Sequence, residues 1–357
     1  MKKLVTLLTL GGLFTASTLQ AQVEIHITGA TAFRANAYRS IRAMFGNQGG
    51  VQTSQNPAHD ASGANQVTFC GTMPNLYGGQ TVTIRCSYSG SIAGIQTLVQ
   101  NLSGSYLGNC AVGDTNTFSH QADLAFSDVF QSSSAYQKPA LSDATVGVQP
   151  FTYTKSVTTP ATVTNITIQQ LQAFESGGVE PLSYFTGNAA DDGTLIYLVG
   201  RDSGSGTRMT SQLDSIFVGT PLLWAPDTSC NWNVTSGFSS GSGIVGVLNG
   251  TCGPAIGYLG VADAKSVAAG ANILSYDGVK PFYGLITAPD WTPVRKGLYS
   301  FWSYEHLFMR TGAPGNVSSF RTALKNEINA DLASSTSAIQ VGTMAVSRAA
   351  DGGPISP

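Results

Sequence analysis

Apolar positions in this chain recur with two periods, and the changes from one to the other mark out its elements. Val23-Glu24-Ile25-His26-Ile27 alternates like a strand. After Thr28-Gly29-Ala30-Thr31-Ala32 the spacing changes, and Phe33, Ala37, Ile41 and Phe45 recur every four residues, which predicts an amphipathic helix. Val67-Thr68-Phe69 and Thr81-Val82-Thr83-Ile84-Arg85 read as strands separated by a loop rich in Gly, Asn and Pro. The second runs through Ser87-Tyr88-Ser89-Gly90-Ser91 into a helical stripe of Ile95, Leu98, Val99 and Leu102. Ala122-Asp123-Leu124-Ala125-Phe126 is an apolar run that stops at Ser127-Asp128, and an extended stretch follows from Val146 to Tyr153. Residues 168–174 are expected to be helical, Leu195-Ile196-Tyr197-Leu198-Val199 to be a strand, and Met209, Leu213, Ile216 and Phe217 to line one more helix. A strand at Ala255-Ile256-Gly257-Tyr258-Leu259 and a helix over 317–332 complete the pattern. Strands that alternate with helices imply an α/β protein built on mostly parallel sheets. No internal repeat interrupts the pattern.

Three of the strands end in hydroxyl and glycine residues where a helix begins. Free backbone N–H groups and the helix dipole favour an anion at such a junction. Glycine lets the backbone approach a ligand closely, and Ser or Thr adds donors without charge. The segment Gly200-Arg201-Asp202-Ser203-Gly204-Ser205-Gly206-Thr207-Arg208 is the most explicit. There Arg201 supplies a permanent, planar and bidentate partner for a tetrahedral oxyanion.

Composition narrows the setting. Met1-Lys2-Lys3, a leucine-rich stretch from Leu4 to Phe14 and small residues up to Ala21 have the form of a cleavable signal peptide over residues 1–21. No cysteine follows the expected cleavage point, so a lipid anchor is not indicated, and a periplasmic or secreted protein is expected. Charged residues make up only 11% of the 357, and the net charge of −2 leaves no basic stripe for a nucleic acid. Any anion must therefore be held locally. Five cysteines in an exported chain suggest disulfides: Cys230 and Cys252 are the preferred pair, while Cys70, Cys86 and Cys110 leave three pairings open. The four histidines show no metal-ligand spacing, and neither a metal nor a cofactor is expected.

These loops, in order, resemble the phosphate-binding proteins of bacterial ABC importers, within the type 2 periplasmic binding proteins. The resemblance runs from Thr28-Gly29-Ala30-Thr31-Ala32-Phe33 through Ser89-Gly90-Ser91, Ala125-Phe126-Ser127-Asp128 and Arg201-Asp202-Ser203-Gly204-Ser205-Gly206-Thr207 to Pro254-Ala255-Ile256-Gly257-Tyr258. It implies a two-lobed α/β fold with the ligand in the cleft: residues 22–145 and 276–357 form the first lobe, residues 146–275 the second. It also implies capture of inorganic phosphate, or a similar tetrahedral oxyanion, by a monomer that delivers it to an ABC permease. Carried over residue by residue, the binding set is Thr31, Ala32 and Phe33 of the first loop, Ser91 of the second, Asp128, and Arg201, Ser205, Gly206 and Thr207 of the clamp. In the family the aspartate accepts a hydrogen bond from a protonated phosphate oxygen, and an ionised Asp128 would repel an anion without a proton. Sulfate is thereby disfavoured.

Two positions depart from the family's pattern. Ala32 stands where a threonine hydroxyl is usual, so that donor is either missing or moved to Thr31 or Thr28, and Ser203 replaces an aspartate whose task of steadying the arginine falls to Asp202. Plainer and rival readings stay open. Asp128 could instead cap a helix through Ser127-Asp128. Arg34, Arg39 and Arg42 read most simply as solvated residues on the outer face of the first helix, although Arg34 sits near the proposed site. Gly237-Phe238-Ser239-Ser240-Gly241, followed by Asp263 or Asp277 and then His306, formally fits a hydrolase with Ser239 as nucleophile. The same loops would also suit molybdate, tungstate, sulfate or a phosphate-bearing small molecule, or a secreted surface protein of this fold that serves no importer.

Overall fold

The structure, a computed structural model, describes residues 22–46, 52–53, 64–111 and 115–357. The expected signal peptide lies outside the described residues.

Ten strands line up in one sheet, in the order Val179–Pro181, Leu195–Val199, Ala255–Gly260, Thr145–Lys155, Trp302–Arg310, Leu124–Ser127, Val23–Gly29, Thr81–Tyr88, Gln66–Thr72 and Gln52–Thr53, with Leu141–Ser142 pairing beside Trp302–Arg310. Parallel pairing occurs where strands feed helices: Val23–Gly29 against both Thr81–Tyr88 and Leu124–Ser127, and Leu195–Val199 against Ala255–Gly260. The middle is antiparallel, so the sheet is mixed rather than mostly parallel. The cause is a pair of mutually antiparallel strands that join the two parallel sections, each antiparallel also to the section beside it.

Thr145–Lys155 is buried from Val146 onward, as a strand covered on both faces should be. Residues 145–150 pair with 302–306, and residues 151–155 with 256–260. Pro150, which has no N–H to give to a ladder, stands at the handover between the two partners. Trp302–Arg310 makes the complementary exchange, pairing with 145–150 and then with 124–127, through a bulge between Glu305 and His306. Each joining strand thus belongs to both sections.

Apolar side chains gather accordingly. One core takes Phe151, Tyr153, Leu198, Ile256 and Tyr258 together with Phe282, Trp291, Tyr299, Phe301 and Trp302. Another takes Ile25, Ile27, Phe33, Ile41, Phe69, Ile84 and Leu307, closed by Phe320, Leu324 and Ile328 of the helix Gly315–Asp331. A third, under the helix Ser91–Val99, holds Ile92, Ile95, Leu98, Val129 and Phe308. Disulfides join Cys70 to Cys110 and Cys230 to Cys252. Cys86 is a buried free thiol whose pKa burial pushes up to about 12, which fits structural packing rather than redox work.

Phe151 is fully buried where the joining strand changes partner, and its ring centroid lies 5.2 Å from that of Phe301. Phe151→Ala is expected to cost about 3–5 kcal/mol, read as a lower urea midpoint at an unchanged slope.

Candidate functional site

Gly29 ends its strand at φ 108°, and a Cβ there would run into the Phe126 carbonyl. The chain can therefore turn tightly against the neighbouring strand into the loop before the helix Arg34–Met44. In that loop the Thr28 hydroxyl donates to the Ser87 carbonyl at 2.7 Å and is committed. The Thr31 hydroxyl is buried without a hydrogen-bond partner. Ala32 packs against the backbone at Gly260, and the helix begins at Phe33 with no side-chain cap. Thr31 is thus the side-chain donor this loop has to offer.

The next strand passes through Gly90, at φ 118°, into the helix Ser91–Val99, which also lacks a side-chain cap. Its first N–H groups point at the third loop: Ile92 N and Ala93 N donate to the Gly204 carbonyl at 3.0 and 3.2 Å. Ser91 is buried at this junction.

The clamp segment leaves Leu195–Val199, and Ser205 caps the helix Gly206–Asp214 by accepting from Arg208 N. Arg201 is 3% exposed. Its backbone N–H donates to the Tyr258 hydroxyl at 3.1 Å, while Nε and Nη2 donate to the carbonyls of Phe238 and Ser239 at 3.0 and 2.8 Å. Asp202 does not grip it. Its Oδ1 accepts from Gly204 N at 3.1 Å and shapes the turn, so the task expected of Asp202 is done by two carbonyls, with Asp202 contributing charge. Burial pulls the guanidinium pKa down, against the opposing charges of Asp202, Asp263 and Asp128.

Asp128 follows the strand Leu124–Ser127 and is 1% exposed. It caps no helix, since the 3-10 turn that follows has Phe130 at its N-cap and no side-chain cap. One oxygen accepts from Thr207 Oγ1 at 3.5 Å, and the other is buried beside the Ser91 hydroxyl. Gly206 lies so close that a Cβ there would collide with this second oxygen and crowd Ser91, which explains a glycine at the first helical position. Burial pushes the Asp128 carboxyl up to about 6, while the Ser91 hydroxyl and Arg201 pull it down.

Two further participants carry no motif that marks them as part of a site. Arg34 is not on a solvated face: it is 3% exposed and its Nη2 meets Asp263 Oδ1 at 2.8 Å. Its place is readable from helical phase, because Ala37 and Ile41 follow it on the buried face. Arg39, on a more exposed face, pairs with Asp331 at 2.8 Å, and Arg42 is exposed. Asp263 follows the strand Ala255–Gly260, and its carboxylate lies where a Cβ on Gly241 would be, at the uncapped start of the helix Gly241–Asn249. Burial raises the Asp263 pKa despite Arg34 and Arg201. Four helix starts therefore meet around Arg201, with Asp128 on one side and Asp263 on the other.

The hydrolase constellation does not assemble. Ser239 is exposed and holds Arg201 through its carbonyl. His306 is buried on Asp143 at 2.9 Å, Asp263 pairs with Arg34, and Asp277 accepts from Ile168 N.

No family model and no curated protein matches this sequence. Solved structures do. A protein of Clostridium perfringens described as a phosphate ABC transporter substrate-binding protein, solved with bound phosphate, is 18% identical and superposes at a TM-score of 0.58 over 89% of this chain and 99% of its own. A phosphate-binding protein from Stenotrophomonas maltophilia is 14% identical at a TM-score of 0.50, over 90% of this chain and 91% of its own. What this chain shares with them is the fold, the two-lobed α/β architecture of the type 2 periplasmic binding proteins.

Proposed function

We propose that this chain is an extracytoplasmic solute-binding protein that captures inorganic phosphate between two lobes and performs no chemistry. The observation that carries the reading is the meeting of the helix starts at Arg34, Ser91, Gly206 and Gly241 around buried Arg201, beside the buried Asp128 carboxyl and a Thr31 hydroxyl that has no partner among the described residues. Backbone N–H groups at helix starts hold an anion without a counter-charge. Arg201 and Arg34 are offset by Asp128 and Asp263, so the pocket discriminates by donors and acceptors more than by net charge.

In this reading Thr31, the Ala32 and Phe33 backbone, Ser91 and Asp128 form one wall, and Arg201, Ser205, Gly206 and Thr207 the other. Residues 22–145 and 276–357 make the first lobe and residues 146–275 the second, with Phe282, Trp291 and Phe301 packing on the second lobe's core before the chain returns. The bonds from Ile92 and Ala93 to Gly204 then cross the cleft and belong to the closed form. An ABC permease is the partner that such closure serves, an assignment supported by likeness of fold to the two solved phosphate-binding structures. Among the described residues no helix is long and apolar enough to cross a membrane.

Calorimetric titration of the purified protein with phosphate tests the proposal: measurable heat and thermal stabilisation are expected, and neither appearing would refute it. Arg201→Ala should weaken phosphate binding by roughly 100-fold or more, since it removes a buried hydrogen-bonded charge. Asp128→Asn places a donor where only an acceptor stood, so its affinity for sulfate relative to phosphate should rise; unchanged selectivity would count against Asp128 as the discriminator.

Asp128 also predicts a pH dependence of stability without ligand. Its folded pKa of about 6 lies above the ordinary 3.8, so ionisation favours the unfolded chain. The resulting penalty is absent below pH 4, grows between 4 and 6 and is constant above. Asp128→Asn should therefore stabilise the ligand-free protein above pH 6, by on the order of 1–3 kcal/mol, with no gain at pH 4 in denaturant titrations.

A further inference from the structure

Several polar atoms near this site are buried without a hydrogen-bond partner among the described residues: Thr31 Oγ1, Arg34 Nε, Gln149 Oε1 and both carboxyl oxygens of Glu305. Buried polar atoms are ordinarily paired. A concentration of unpaired ones therefore points to a ligand. Glu305 is the most exceptional of them. It is fully buried, and neither oxygen has a donor among the described residues. It lies on the joining strand Trp302–Arg310, at the register shift between Glu305 and His306, and the pairing of His306 with Ser127 sets Glu305 beside Asp128.

The charges around Glu305 define its setting. Asp128 acts on it from the loop after Leu124–Ser127, and Glu305 in turn acts on Tyr88, at the end of Thr81–Tyr88, which Arg34 also reaches. From Thr145–Lys155, the strand paired with it, the neighbouring buried side chain is the uncharged Gln149. No cation forms an ion pair with Glu305 among the described residues. Burial and the Asp128 carboxylate both push its pKa well above the usual carboxylate range. A carboxyl group kept neutral has an O–H to donate, which an ionised one lacks.

We propose that Glu305 is a further specificity-determining residue of the oxyanion site, donating a hydrogen bond from its carboxylic acid to the anion while Asp128 accepts one. This rests on the oxyanion reading above. Acid and carboxylate together read the ligand's protonation: one oxygen must accept and another must carry a proton. Raising the pH then weakens binding in two ways, by removing the ligand's proton and by removing that of Glu305.

The test is phosphate titration calorimetry from pH 5 to pH 10 on wild type, Glu305→Gln and Glu305→Ala, with circular dichroism to establish folding. Gln keeps an N–H donor and has no proton to lose. Its affinity should stay within about tenfold of wild type at pH 6, and its decline at alkaline pH should be shallower. Ala should lose roughly 10- to 100-fold, the cost of a hydrogen bond to a charged group. In wild type, infrared difference spectra should show a carboxylic-acid carbonyl band that shifts on phosphate addition. This measurement decides the matter if the variants do not fold. Wild type that binds phosphate while both variants keep its affinity and pH profile, or shows no shifted acid band, overturns the role of Glu305 alone. Wild type that binds neither phosphate nor arsenate overturns the oxyanion reading, and Glu305's role with it.

Discussion

A guanidinium that cannot give up its proton and is almost wholly withdrawn from water must be compensated on every side, and Arg201 imposes that demand on its surroundings. Desolvating such an ion costs several kcal/mol even after relaxation. Two carbonyls, from Phe238 and Ser239, take its donors. Three carboxylates, Asp202, Asp263 and Asp128, supply the opposing field. Each of these brings its own requirement. Asp263 needs Arg34, which draws the first helix start into the site, and it occupies the space that the absence of a Cβ on Gly241 leaves open. Asp128 needs the close approach that Gly206 allows. Much of the small-residue pattern around the cleft follows from one buried cation.

The fold is legible where periodicity is a local property. The alternation in Val23-Glu24-Ile25-His26-Ile27 and the four-residue spacing from Phe33 to Phe45 are realised as the strand Val23–Gly29 and the helix Arg34–Met44. The strand Trp302–Arg310 is not anticipated by the pattern. Its central residues Glu305 and His306 are ionisable, so it does not read as apolar, yet both are fully buried because the strand runs through the middle of the sheet. The antiparallel centre is illegible for a related reason. Pairing across more than a hundred residues leaves no trace in a local window. The helix expected to reach Phe217 stops at Asp214, and Ile216 then takes a positive φ of 58°, a conformation the spacing of apolar residues does not disclose.

The site divides in the same way. Thr31, Ser91, Asp128 and the residues from Arg201 to Thr207 lie in loops whose chemistry is visible in their own sequence, and the structure brings Ser91, Asp128, Gly206 and Thr207 into direct proximity. Deciding which hydroxyl serves the first loop requires the structure, because Thr28 and Thr31 differ only in what surrounds them: one donates to Ser87 and the other is unengaged. Arg34 is misplaced by a reading that gives charge more weight than helical phase. Asp263 enters the sequence reading only through the hydrolase pattern, and Glu305 does not enter it. Both are set apart by being buried beside other charges, a relation that only the tertiary arrangement contains.

Asp128 and Glu305 illustrate why such a site is costly to keep. Above pH 6 Asp128 would be less destabilising to the fold as a neutral residue of the same shape, Glu305 would be so as an apolar one, and burial raises both pKa values in the ligand-free protein. A protein selected for stability alone would replace them, since unpaired buried polar atoms are among the larger destabilising features known. Their retention in one pocket, beside a cation held by carbonyls rather than by a bidentate carboxylate, leaves the site's hydrogen-bonding capacity incomplete until a ligand supplies the rest. In the proposed function that incompleteness makes closure conditional. On the proposed reading, the two sections gain their full set of contacts only with a molecule that accepts from the helix starts and Arg201 while offering a proton to Asp128, and an anion lacking that proton leaves the carboxylate facing like charge.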